Sequence, residues 1–451
     1  MPAFVFPGQG SQRPGMGQPW RDHPSWDVVA DASEVAGRNL AHLLLNAGPD
    51  ELTETRNAQL ATFTFSLIVL DAVERLGIEP TACAGHSLGE YSALVAAGAL
   101  SFDDGVAIVA ERGEAMQAAA DERPGTMKVI VGLDDDSVDM ACYRADAEVW
   151  VANYNGPDNV VIAGDHESVE SALDEAFVMG AQRVIPVAVG GAFHTPFMAS
   201  ARPRLRKALR AATFREPEVP VVANVDALPH KTADDWQGLS SAQLCSPVRW
   251  RQSVLRLAGL PGVHSGFPGL TGTSSAPSTT STASTASITS AASITSGTST
   301  TSGASTTTAT TPSDGERLFV ELGSGGVLTG LTRRIVPGAT AISVSTPADL
   351  DMLVEAISGH SALHTYAVSH HGEHLYVSER MVISPCAGVF EPTGASAAAA
   401  AEGEPIEVGT VLGRVGGTDV RSPFAGWLMG MLALPGERVQ SGQPVAWLRA
   451  G

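Results

Sequence analysis

Apolar residues along the chain arrive in short runs separated by amphipathic stretches, the pattern of strands alternating with helices. "AFVFPG", from residue 3, reads as a first strand ending in a glycine turn. "AQLATFTFSLIVLDAVERLG" is apolar on nearly every side, which predicts a buried helix. "TACAGHS" is a short strand that runs directly into a helix, "EYSALVAAGAL". Between residues 124 and 189 the elements read strand "GTMKVIVGL", helix "DDDSVDMACYRA", strands "EVWVANYN" and "NVVIAGD", helix "ESVESALDEAFVMG", strand "QRVIPVAV". That β-α-β-β-α-β order predicts a small ferredoxin-like unit set into the alternating α/β pattern.

Residues 265–313 break the pattern. They are Ser/Thr/Ala-rich, repetitive and nearly uncharged, so they cannot bury enough apolar surface to offset the entropy of ordering. A disordered insert is expected there. The chain then resumes with "GERLFVELGSGGVLTGLTRRIV", a strand, a glycine turn and a helix. Beyond a histidine-bearing linker it becomes Gly/Pro-rich and repeats itself. "SPCAGVF" at 384–390 matches "SPFAGWL" at 422–428, and "GEPIEVGTVLGRV" resembles "GERVQSGQPVAWL". Two copies of a strand–turn–strand unit predict a small quasi-symmetric β-sandwich. The expected organisation is a large subdomain over residues 1–123, resumed over 190–264 and 314–360, with the small subdomain over 124–189. The insert takes 265–313, a linker 361–378 and the all-β domain 379–451.

Charge narrows the class of partner. The 451 residues carry a formal net charge of −20, which argues against nucleic acid and anionic membranes. The N-terminus shows no basic segment followed by an apolar one, and no apolar run reaches the ~18 residues of a membrane span. A cytoplasmic protein is expected. The four cysteines, Cys83, Cys142, Cys245 and Cys386, form no C-x-x-C pair, so neither a zinc site nor a disulfide framework is expected. Five histidines fall within 360–374 without clean ligand spacing, and no metal is expected there either.

Gly85, Ser87 and Gly89 fit G-x-S-x-G between a strand and a helix, the setting of a nucleophile elbow. A serine there needs a base, and the helix start behind it favours a developing oxyanion, with the Leu88 amide one expected donor. Of the twelve histidines, His194 in "VGGAFHTPFM" is the best candidate, because a double glycine brings backbone close to it. His86 adjoins the serine but should point elsewhere. Arg112, twenty-five positions after Ser87, offers the planar fork that suits a carboxylate, which would imply an acyl group with a free acid.

At this point the chain resembles a known family. "FVFPGQGSQRPGMG", "GHSLGEYSALVAAGAL", "ERGEAMQ", "NVVIAG", "GAFHTPFM", "VPVVANVDA" and "ELGSGGVLTGLTRRI" occur in the order found in malonyl-CoA:acyl carrier protein transacylases. The likeness spans about residues 3–360 outside the insert. It implies an acyltransferase fold with a hydrolase-like parallel-sheet core. It implies Ser87 as the acylated nucleophile, His194 as base, and the amides of Gln9 and Leu88 as the oxyanion hole. Arg112 would take the malonyl carboxylate, the Gln243 carbonyl would orient the histidine, and Phe193 would favour malonyl over branched acyl groups. The substrates would be malonyl-CoA and the phosphopantetheine thiol of acyl carrier protein, with no other cofactor. The chain departs from the family at Asp158-Asn159, where a glutamine is usual, and in its insert.

An acidic carrier would need a local basic patch, for which Arg204, Arg206, Lys207 and Arg210, or Arg249 and Arg251, are candidates. Residues 379–451 resemble biotinyl/lipoyl carrier domains, but the chain's three lysines, Lys128, Lys207 and Lys231, all precede them, so amide attachment of either cofactor is excluded there. Two expectations stand for this tail: a degenerate carrier fold kept as a stabilising appendage, or a docking module for a carboxylase or synthase partner. Three other readings remain at this stage: a serine hydrolase, a non-catalytic scaffold, and an acyltransferase serving a polyketide or specialised carrier.

Overall fold

The computed structural model describes residues 2–260, 317–358, 379–392 and 404–449. The expected disordered insert, the linker and the histidine cluster lie outside the described residues. The central sheet is built from β1 (Ala3–Phe6), β2 (Ala82–Gly85), β7 (Val221–Val222), β8 (Pro229–His230), β9 (Leu318–Leu322) and β10 (Thr340–Val344), in the order β10-β9-β1-β2-β7-β8. All neighbours run parallel except β8, which returns antiparallel on β7.

Parallel strands are covered on both faces, and this sheet's composition follows from that. Phe4 and Phe6 enter the larger core with the helix Thr55–Glu74, whereas Ala3 and Val5 face Trp250, Val254 and Leu257 on the other side. The helix Thr55–Glu74 is buried almost throughout, which is why its sequence shows no polar stripe. It packs along the helix Phe102–Glu122, opened by a cap in which the Ser101 side chain accepts from the Asp104 N–H.

Residues 126–186 form a separate antiparallel sheet from β3 (Thr126–Val131), β4 (Val149–Gly156), β5 (Asn159–Gly164) and β6 (Arg183–Pro186), ordered β4-β5-β3-β6. The helices Asp135–Ala145 and His166–Val178 share its second core with Ile130, Ile162 and Val160. Asp158 takes the left-handed conformation (φ 55°) in the β4–β5 turn. Asn159 Oδ1 accepts from Asn155 Nδ2, so the departure from the family pattern sits beside a residue that contacts His86.

The C-terminal segment forms two further four-stranded antiparallel sheets. One joins β11 (Glu379–Ile383), β18 (Pro444–Arg449), β16 (Gly426–Met431) and β13 (Glu404–Ile406). The other joins β15 (Thr418–Arg421), β14 (Val411–Val415), β12 (Gly388–Pro392) and β17 (Arg438–Val439). Val382, Phe390, Val415, Leu428 and Leu448 fill the core between them. The two "SP-x-AG" repeats lie at corresponding turns, before β12 and before β16. The β14–β15 hairpin turns on Gly416 and Gly417, both at positive φ (57° and 87°), as a two-residue turn between right-twisted strands requires.

The second of those turns touches the α/β body. Gly77, after the helix Thr55–Glu74, has φ 69°, and a Cβ on it would lie 2.8 Å from the Ala425 nitrogen. Gly77→Asn keeps the left-handed conformation accessible but fills that gap. Limited proteolysis of this variant is expected to release the C-terminal sheets at lower protease concentration than in the parent. Unchanged digestion would mean that the contact does not hold them.

Candidate active site

The C-terminal ends of β1, β2 and β7 converge, and a cleft forms outside them as it does in other open α/β sheets. Pro7–Gln9 follow β1, His86 and Ser87 follow β2, and Asn224 follows β7. Between this edge and the small subdomain lies a cavity of about 240 Å³, whose wall includes Gln9, Ser87, Met116, Phe193, His194 and Leu331.

Ser87 occupies a left-handed conformation (φ 54°) that turns β2 into the helix Gly89–Ala96. The flanking glycines are steric necessities. A Cβ on Gly85 would fall 1.8 Å from the Gly89 carbonyl carbon, and one on Gly89 would fall 2.1 Å from the Phe6 oxygen. Two side chains from distant segments hold the serine backbone. Asn224 Oδ1 accepts from the Ser87 N–H at 2.7 Å, and Gln243 Nε2 donates to its carbonyl at 2.8 Å. Asn224 Nδ2 also donates to the Gly85 carbonyl at 2.7 Å, so one amide spans the turn.

His194 lies after β6, itself at positive φ (61°), and brings Nε2 to 2.7 Å from Ser87 Oγ. Its Nδ1 lies 2.9 Å from the backbone oxygen of Gln243. A carbonyl can only accept, so Nδ1 carries the proton and Nε2 is the free base facing the hydroxyl. Burial lowers the ring's pKa to about 3, and the nearby Arg112 charge adds to this, against the hydrogen bond from Nδ1 to Gln243. The ring is therefore neutral at pH 7. His86 points away, with Nε2 2.9 Å from Asn155 Oδ1 and its ring edge-on to Trp250.

Arg112 reaches in from the helix Phe102–Glu122 and is 1 % exposed. It donates from Nη1 to Gln59 Oε1 (2.7 Å) and from Nη2 to Gln243 Oε1 (3.0 Å), and Nη2 stands 3.4 Å from Ser87 Oγ. Its guanidinium also lies over the Tyr91 ring at 5.4 Å. Among the described residues no carboxylate comes within ion-pair distance of it. Burial pulls its pKa down, while Tyr91 and Glu90 act to raise it. A buried cation held by neutral amides is costly for a fold and useful to an anionic ligand.

Leu88 precedes the helix Gly89–Ala96 as its N-cap, and Gln9 sits in the turn after β1. Neither backbone N–H is engaged by an acceptor among the described residues. Phe193, next to His194, is buried in the cavity wall. The structure thus brings together Ser87, His194, Gln9, Leu88, Arg112, Gln243 and Phe193. Reading by sequence missed Gln59, Glu90 and Asn224, and assigned Gln243 only its carbonyl. Glu90 carried a signal, as a lone charge in the apolar "EYSALVAAGAL" run.

The basic candidates divide. Arg251 pairs with Asp135 at 2.7 Å, and Arg249 donates to the Val225 carbonyl and lies over Tyr154, so both are spent on joining the small subdomain to the body. Arg204 pairs with Glu111, and Arg206 donates to Ser241. Arg206 and Arg210 line a shallow depression with Gln237 and Ser241. No group of metal ligands exists among the described residues, and no described helix is long and apolar enough to cross a membrane.

Because the folded state keeps His194 unprotonated down to about pH 3 while the unfolded chain protonates it near 6.5, the unfolded state binds the extra proton between those values. Stability from this ring is present above pH 6.5 and is lost as pH falls. His194→Asn should flatten the pH dependence of thermal unfolding in that window, by an amount on the order of a few kcal/mol. Parallel curves for variant and parent would contradict the burial of a neutral ring.

Residues 3–265 match the family model described as "Acyl transferase domain". The chain is 34% identical over 360 residues to the malonyl CoA-acyl carrier protein transacylase of Bacillus subtilis, covering 79% of this chain and 96% of that protein. It is 39% identical over 361 residues to the Escherichia coli K12 protein of the same name, covering 78% and 98%. Among solved structures it is similar to an acyl carrier protein S-malonyltransferase from Vibrio cholerae (TM-score 0.63, 32% identity, 78% of this chain and 99% of that one). It is likewise similar to a malonyl-transacylase solved with its type II polyketide acyl carrier protein (TM-score 0.64, 33% identity, 79% and 99%).

Proposed function

The chain belongs to the acyl transferase family and moves malonyl groups from malonyl-CoA to acyl carrier protein; from that premise we propose how its own residues carry the reaction. The observation that bears most weight is the buried Arg112, 3.4 Å from Ser87 Oγ and without a carboxylate partner among the described residues.

Neutral His194 takes the Ser87 proton as Oγ attacks the thioester carbonyl. The developing oxyanion is met by the Gln9 and Leu88 amides, at a helix N-terminus where negative charge is favoured. Collapse expels CoA as the thiol, with the proton returned from His194, and leaves malonyl-Ser87. The carrier's phosphopantetheine thiol then attacks this ester by the same steps in reverse. A dyad suffices because a thioester is an activated donor.

Arg112 receives the malonyl carboxylate on N–H groups that Gln59 and Gln243 leave open, while those two amide oxygens keep the guanidinium in place. This has a second effect. The Arg112 charge helps hold the His194 proton affinity down, so a carboxylate that offsets this charge makes the base stronger when the correct acyl group is present. Phe193 beside the acyl carbon leaves little room for a branch methyl, which is worth only ~1–3 kcal/mol of discrimination.

The carrier belongs to fatty-acid synthesis; a polyketide carrier is the second reading, supported by the likeness to the transacylase solved with one. The quasi-repeat of the C-terminal sheets resembles that of a biotinyl/lipoyl domain, and the tight Gly416-Gly417 turn offers no lysine for amide-linked cargo. A carboxylase or synthase is the kind of partner such a module would meet.

Arg112→Ala tests the assignment through selectivity. Removing one partner of a buried charge pair costs about 3–5 kcal/mol, so kcat/KM for malonyl-CoA should fall roughly 10²–10⁴-fold. Acetyl-CoA, which has no carboxylate, should lose far less, so the preference collapses. An equal loss for both donors would overturn the role given to Arg112.

A further inference from the structure

Asn224 and Gln243, which hold the two ends of the Ser87 peptide, are themselves held by one side chain. Glu90 is fully buried in the first turn of the helix Gly89–Ala96. Its Oε2 accepts from the Asn224 backbone N–H at 2.6 Å, and its Oε1 accepts from Gln243 Nε2 at 3.0 Å. Both oxygens face donors, an arrangement that suits the ionised carboxylate best.

The consequence passes through the Gln243 amide. With its NH₂ turned to Glu90 and to the Ser87 carbonyl, its oxygen is left facing Arg112. Turned over, the amide would set its oxygen against two acceptors and its NH₂ against a cation. We propose that Glu90 is a positioning residue for malonyl transfer, fixing the Gln243 amide so that Arg112 is held beside Ser87 and supplying the buried negative charge that balances it.

The proposal rests on the reading that Arg112 receives the malonyl carboxylate. Glu90 touches no reacting atom and acts through Gln243. Glutamine at this position has the same shape but one acceptor and one donor, so it must face either Asn224 or Gln243 with an NH₂. One bond is then lost, and Arg112 loses its counter-charge.

Protonation of Glu90 has the same effect as that substitution. Burial pushes its pKa up to about 7, against the Asn224 N–H, Arg112 and the Gln243 amide, which favour the ionised form. The other charged or titratable neighbours are Tyr91 on its own helix and Asp226 beyond β7. His194, with its pKa near 3, does not titrate in the same window.

The test is the ratio of Ser87 acylation rates with malonyl-CoA and acetyl-CoA, measured by single-turnover CoA release from pH 5.5 to 9. In the full parental chain the malonyl preference should fall at least ~10-fold as pH drops through about 7. In Glu90→Gln it should be low and flat at every pH, and Glu90→Asp, which keeps the charge, should recover part of it. A preference that is flat with pH in the parent, or unchanged in Glu90→Gln, would overturn the proposal. So would an equal loss for both donors in Glu90→Gln, which would mean that Glu90 only shapes the elbow. If Glu90→Gln fails to fold, the pH profile of the parent decides. If Arg112→Ala leaves the preference intact, the carboxylate reading itself has failed; if Arg112→Ala collapses it and Glu90 has no effect, only this proposal has.

Discussion

A serine held in the left-handed conformation beside a buried arginine is the constraint from which the rest of the site follows. The conformation costs roughly 1–2 kcal/mol at a residue with a Cβ. It persists because the Ser87 N–H and C=O are both engaged, by Asn224 and Gln243, each bond worth about 1 kcal/mol net. Those partners lie on β7's continuation and at the end of the helix Asp235–Gln243. The elbow is thus fixed only when the sheet and the helices around it are complete.

Charge is arranged around the same atoms. Arg112 is buried with amide acceptors, His194 is kept neutral by burial and by that charge, and Glu90 sits one amide away. Gln243 is the common element. Its carbonyl accepts from His194 Nδ1–H, its Nε2 donates to the Ser87 carbonyl and to Glu90, and its Oε1 accepts from Arg112. Under the proposed roles, one residue sets nucleophile, base and carboxylate receptor relative to one another.

The parts of this that local sequence encodes were legible. Glycine spacing around Ser87 reports a steric rule that is visible without a fold, whereas of the double glycine before His194 only Gly191 is crowded, by the Phe193 and Ala120 side chains, and Gly190 stands open. The β-α-β-β-α-β run reads off periodicity, and its sheet order is what that connectivity yields. Asn224 and Glu90 were not found, because their meaning lies in contacts made across 134 to 153 residues. Arg249 and Arg251 looked like surface charge but proved to be joints between the subdomain and the body, since only the fold shows that Tyr154 and Asp135 are their neighbours. The lysine-free tail was legible as a repeat, whereas its contact at Gly77 depends on a turn more than three hundred residues away in the chain.

The most direct measurement is the intact mass of the protein after mixing with malonyl-CoA, followed by peptide mapping, beside a Ser87→Ala control. The account predicts one malonyl adduct on the peptide containing Ser87, absent from the control and discharged by a phosphopantetheinylated carrier protein. CoA release with no adduct would mean that water collects the acyl group, and an adduct that survives Ser87→Ala would place the nucleophile elsewhere. Either result would contradict the account.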